Sequence, residues 1–170
     1  MRFFLGVLVT IAVLALGGLA FVWSGIYNVA AALPHQPLVF WALDTTKRNS
    51  VEARASALAA PEDLGADRAA RGFGDYDEMC VLCHGAPGVE PTEWGKGLRP
   101  EPPDLQDEVA RWTAPELFWI LRNGIKMSGM PALGPTHSDE DLWNVVAFLQ
   151  TLPDMTSEEY ARQRQNAQSQ

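Results

Sequence analysis

The chain has 170 residues, of which 47% are hydrophobic and 20% charged, room for one compact domain and an appendage. Thirteen Lys and Arg face 21 Asp and Glu, a formal charge of −8. An acidic chain without a basic stripe excludes nucleic acid, whose phosphates need cationic partners. Two cysteines exclude a disulfide-stapled scaffold.

In chain order, the first expected element is a helix. Phe3 to Trp23 carries no charged side chain, and as a helix it rises about 32 Å, close to the hydrocarbon thickness of a bilayer. A cleaved secretory signal has a shorter apolar region. Bulky Phe21, Val22 and Trp23 continue the apolar run past the small residues Gly18 and Ala20, and no cysteine follows to take a lipid. Residues 1–25 therefore read as an uncleaved transmembrane anchor, with Trp23 and Tyr27 as interfacial aromatics.

Residues 26–65 read as a juxtamembrane connector containing Pro34, Pro37 and Pro61. The patch Leu38 to Leu43 is apolar throughout and needs cover from lipid headgroups, its own domain or another protein. Asn49 and Glu52 are spaced as a capping box for a short helix running to Ala60.

From Ala66 a helical pattern leads to Cys80. The proline- and glycine-rich stretch from Gly85 to Pro103 is expected as loop. Thr113 and Glu116 predict a helix over 114–123, closed by Gly124. Ser138 opens another, with Asp139, Glu140 and Asp141 against the positive end of its dipole. Leu142, Val145, Val146, Leu149 and Leu152 give that helix one apolar face. Residues 155–170 read as a polar, mobile tail. With no strand pattern and no repeat, the fold class is mostly α.

Cys80-Val81-Leu82-Cys83-His84 is a C-x-x-C-H run. Two thiols on one helical turn reach the two vinyl groups of a haem edge, and the next histidine turns its imidazole under the iron, the pattern of c-type haem attachment. A thioredoxin-like pair expects a βαβ context, and zinc needs further ligands at suitable spacing; neither is present. Because this attachment occurs outside the cytoplasm, the motif sets the topology: a single-pass protein of the bacterial inner membrane, haem domain in the periplasm.

A second axial ligand is sought among Met127, Met130, His137 and Met155. Met130, between Ser128-Gly129 and Pro131, is the preferred candidate, a thioether presented from a loop; the alternative use of any methionine is core filling.

Residues Ala66 to Pro153 resemble a monohaem class I cytochrome c, and 66–154 is taken as that domain wrapped around one covalent haem c. The resemblance rests on Gly72, Tyr76 and Cys80 at four-residue spacing, on Phe148-Leu149 in the last helix, and on Asn123 to Ala132 as the distal loop. It implies Cys80 and Cys83 as haem attachments and His84 and Met130 as iron ligands. It also implies a proline carbonyl that orients the histidine; of Pro100, Pro102 and Pro103, Pro100 is preferred. Trp94, Trp112, Trp119 and Trp143 are shields for the macrocycle or core, and Arg99, Arg111 and Arg122 are propionate partners or surface.

The expected function is one-electron transfer by a membrane-anchored cytochrome. It would act as a tethered carrier or as a subunit of a respiratory, photosynthetic or dehydrogenase complex, with redox proteins or membrane oxidoreductase subunits as partners. The alternative, a haem enzyme or gas sensor, requires an exchangeable distal ligand.

Overall fold

The computed structural model describes residues 2–169. Met1, which opens the expected anchor, and Gln170, which ends the expected tail, lie outside the described residues. The chain divides into two units, with the boundary between Leu33 and Pro34.

In the first unit, α1 (Arg2–Ser24) is apolar on every side and exposed along its length. Its mean hydropathy of 2.6 and its length are those of a helix able to cross a membrane.

The second unit is helical throughout, and no strand occurs among the described residues. It opens with α2 (Pro37–Ala55), whose proline stands in the first turn, where its missing N–H costs nothing. Then come α3 (Ala66–Asp75), a π turn (Tyr76–Cys80) and the short α4 (Val81–His84). Gly85 ends that run at φ 69°, in the left-handed region that favours glycine. Next are α5 (Glu93–Gly97), α6 (Leu105–Glu108) with a 3₁₀ turn after it, α7 (Ala114–Asn123), α8 (Asp139–Leu149) and, past a 3₁₀ turn at Leu152–Asp154, α9 (Ser157–Gln168).

The capping expectations at α7 and α8 hold. Glu116 Oε2 accepts from the Thr113 N–H at 2.7 Å. The Ser138 hydroxyl accepts from the Asp141 N–H at 3.2 Å, while Asp141 reaches back to Ser138.

The core forms where α3 crosses α8. A Cβ on Gly72 would fall on the Asn144 carbonyl, so only glycine lets the two backbones approach this closely. Beside that contact Phe73 and Phe148 meet edge to face with centroids 5.4 Å apart, and Tyr76 lies 4.9 Å from Phe148. Phe118 of α7 stacks on Trp143 of α8 at 4.2 Å.

Three expectations are corrected. The helix expected to start at Asn49 begins at Pro37 and ends at Ala55, and its Val51 and Ala55 are buried in the second unit. Residues 155–170, expected to be mobile, include α9, capped by Thr156 and Glu159, with Tyr160 fully buried. Finally, α pitch does not run unbroken from Gly72 to Cys80, because the π turn intervenes and the Val81 N–H reaches the Tyr76 carbonyl.

Candidate haem-binding site

The C-x-x-C-H run occupies the end of the π turn and all of α4. Cys80 and Cys83 are free thiols, both half-buried. Burial pushes the Cys80 thiol up to about 12, with the Asp75 carboxylate adding to the effect.

His84 is held through Nδ1, which lies 2.8 Å from the Pro103 carbonyl oxygen. A carbonyl only accepts, so Nδ1 carries the proton and Nε2 is left with its lone pair. Burial also holds the imidazole below its ordinary pKa, although the Pro103 bond opposes that shift. The accepting carbonyl therefore belongs to Pro103 rather than to Pro100. All three prolines shape the same loop, and only the one adjoining the Asp104 cap of α6 brings its carbonyl to the imidazole.

Three residues not expected at the site steady the motif from behind. The Tyr76 hydroxyl donates to the Gly85 carbonyl at 2.8 Å, tying down the backbone just past the histidine. The Thr92 hydroxyl donates to the carbonyl of Leu82, between the two cysteines, at 2.6 Å. Thr92 also caps α5, and a Cβ on Gly95 would stand 2.8 Å from the Cys83 Cα, so α5 lies directly against α4. The T-x-x-G spacing was the only sequence trace of this contact.

Met130 sits half-buried against the core in the loop after α7. Gly124 opens that loop at φ 66°. The Ser128 hydroxyl closes it, donating to Ile125 O at 2.7 Å and accepting from the Met130 N–H at 3.2 Å. The Ile125 N–H donates to the Met130 carbonyl at 3.2 Å. A Cβ on Gly129 would meet the Leu98 side chain at 2.6 Å, so the loop bearing Met130 touches the loop bearing Pro103. Met127, by contrast, is 76% exposed with φ 61°. His137 Nδ1 is engaged with the Thr136 hydroxyl at 2.9 Å.

Among the other candidates, Trp143 belongs to the core, and Trp94 is exposed. Trp112 Nε1 donates to Glu108 at 3.1 Å. Arg111 pairs with Glu108 and Arg122 with Asp139, while Arg99 donates to the Lys96 and Leu98 carbonyls.

This donor set fits haem c. It offers two unpaired thiols three positions apart, an oriented neutral imidazole with one free nitrogen, and a thioether held by a fastened loop.

Residues 67–149 match the family described as cytochrome C oxidase, cbb3-type, subunit III. No curated protein and no solved structure matches the chain. The matched segment spans α3 to α8, the part that carries every residue of the donor set, and constitutes a class I cytochrome c domain that implies haem c and its iron.

Proposed function

We propose, from the class I cytochrome c domain of residues 67–149, that the chain is a membrane-anchored electron-transfer protein with one covalently attached haem. Cys80 and Cys83 would hold the group by thioether bonds, and His84 and Met130 would ligate its iron. When bound, haem c supplies a one-electron ferric–ferrous couple. The observation that carries the reading is the His84–Pro103 bond, which presents a neutral, oriented imidazole within a C-x-x-C-H run.

The chain's own residues make the site rigid. Tyr76, Thr92 and Gly95 hold the segment from Leu82 to Gly85 from both sides. Partial burial of His84 holds its pKa below the ordinary value and so disfavours the proton that would compete for its ligating nitrogen. The fastened Met130 loop supports a thioether that stays in place in both oxidation states. A site that changes little on electron transfer suits a carrier better than a catalyst.

α1 would cross the bacterial inner membrane once, with the cytochrome domain on the periplasmic side, where haem attachment takes place. The matched family is described as a subunit of an oxidase, which favours work beside other membrane oxidoreductase subunits over work as a free tethered carrier. Purification in mild detergent tests this: defined stoichiometry with other redox subunits supports it, and a lone monomer overturns it.

The test of the site uses the full-length holoprotein. The denatured chain should keep the mass of one haem, and both Cys80→Ala and Cys83→Ala should weaken that retention. The oxidised protein should show the near-infrared sulfur-to-iron band, and the ferrous protein should bind CO slowly. Met130→Ala should abolish the band and open rapid CO uptake. Rapid uptake by the unaltered protein would favour an enzyme or gas sensor instead, and the same changes produced by Met127→Ala would move the ligand assignment.

A further inference from the structure

The two halves of α2 have different surroundings. Toward its C-terminal end, Val51 and Ala55 are buried, and Lys47 and Arg48 lie over the Trp112 ring at 5.9 and 5.2 Å. Arg48 also pairs with Glu108 at 3.6 Å. Toward its N-terminal end nothing is buried, and Leu38, Phe40, Trp41 and Leu43 are exposed, Leu38 at 73% and Trp41 at 63%. Leu38 and Trp41 stand three positions apart, as do Phe40 and Leu43, and at 3.6 residues per turn the two pairs lie on different sides, so the first turns of the helix are apolar around most of their circumference.

The charge pattern says what covers this end of the helix. From Phe3 through Leu43 the chain contains no Asp, Glu, Lys or Arg. That one run takes in α1, the segment 25–36 with its exposed Ile26, Tyr27, Val29 and Leu33, and the first turns of α2. It ends abruptly at Asp44, after which Lys47, Arg48, Glu52 and Arg54 follow. A protein–protein patch has a polar, charged rim around its apolar centre; here, although Asn28, His35 and Gln36 intervene, no Asp, Glu, Lys or Arg separates the patch from the membrane-length helix. Tryptophan and phenylalanine with aliphatic neighbours suit the headgroup boundary of a bilayer.

We propose that the first turns of α2, through Leu38, Phe40, Trp41 and Leu43, lie in the interfacial layer of the lipid bilayer that α1 crosses. This rests on the reading of α1 as a membrane span. Because the other half of α2 is built into the second unit, the contact holds the cytochrome domain at the membrane surface instead of leaving it at the end of a leash. The patch has no basic residue, so the contact is apolar: it needs no anionic lipid and withstands high salt.

The experiment places the photoreactive residue p-benzoylphenylalanine at position 41, and in a separate chain at position 23, of the full-length holoprotein in native membranes. After irradiation, lipid adducts are identified by mass and protein adducts by gel shift. Lipid adducts are expected at both positions, with that at 41 unchanged after a high-salt wash. Lipid at 23 with a protein adduct at 41, whether to a second copy or another subunit, overturns the proposal and makes the patch a protein interface. Lipid at 23 with no adduct at 41 overturns it in favour of a solvated patch. Absence of lipid at 23 removes the membrane reading of α1, and this inference falls with it. Adding Leu38→Glu and Leu43→Glu to the position-41 chain should lower its lipid adduct several-fold. An undiminished adduct would show that the contact is not made through these residues.

Discussion

Two helices outside the matched segment, α2 before it and α9 after it, rest on the same cytochrome domain in opposite ways. α9 is polar and, apart from Ser157 lying against Gly88, attached through one residue: Tyr160 is fully buried, 5.4 Å from Phe73 and 6.3 Å from Tyr76 by ring centroids, and its hydroxyl donates to Asp77 at 2.6 Å. Arg164 completes the point by pairing with the other Asp77 oxygen at 3.1 Å. α2 is held over several positions, by Val51 and Ala55 in the core and by Lys47 and Arg48 spread over Trp112, yet its first turns are left uncovered. The difference concerns purpose. α9 closes over the π turn that leads into the C-x-x-C-H run and leaves no large apolar residue exposed, whereas α2 has an exposed apolar end.

The strongest way to break this comparison is to remove the seat of one helix and spare the other. Gly72→Ala would drive a methyl group into the backbone of Asn144, which no side-chain rotation relieves. A loss of about 3 kcal/mol or more is expected, measured by denaturant unfolding of the detergent-solubilised holoprotein. Its neighbours Phe73 and Tyr76 form the seat of α9, while α2 lies on α7. Amide exchange should therefore quicken in α9 before it does in α2; simultaneous loosening would show that the two helices share one cooperative support.

Next in size is the point attachment itself. Tyr160→Ala removes a fully buried ring and should cost about 3 kcal/mol. Tyr160→Phe should cost only about 1 kcal/mol, since Asp77 keeps Arg164 as a partner. On the other side, Arg48→Ala should cost about 1 kcal/mol or less and lose most of that effect in high salt, because its cation–π and ion-pair contacts are partly exposed. A large, salt-independent loss at Arg48 would mean that α2 is attached as tightly at its charged clamp as α9 is at its tyrosine.

How much of this was legible depended on whether a feature was local. The C-x-x-C-H run, the Thr113 and Ser138 starts, and the glycine at position 72 are short-range patterns, and each has its expected place in the fold. Pro103 was not separable from Pro100 because three prolines in one loop satisfy the same local rules, and the choice depends on how the loop closes on His84. The π turn leaves no mark in composition. α9 was hidden for a different reason: a helix anchored by a single tyrosine has no apolar periodicity, and its one readable signal, Thr156 three residues before Glu159, went unused beside the polar composition. α2 was hidden because its docking uses the stems and charges of Lys47 and Arg48, which a hydrophobic pattern counts as surface.

That unused signal supports the smallest and most selective prediction. The Glu159 carboxylate accepts from the Thr156 backbone N–H at 2.8 Å and from its hydroxyl at 2.9 Å, and these bonds hold its pKa below the ordinary value of 4.5. A carboxyl depressed in the folded state favours folding fully above its unfolded pKa, and that contribution disappears as pH falls through the lower, folded value. The start of α9 should thus fray below about pH 4.5, seen as faster exchange of the amides following Thr156. Glu159→Gln should remove this acid step while leaving the helix in place, because an amide oxygen still accepts from Thr156 but does not titrate in this range. The first turn of α2 offers the control: Gln36 makes no side-chain cap and no acidic residue follows it there, so its exchange should show no such step. If it frays in parallel with α9, the acid response comes from the domain beneath both helices and not from the cap.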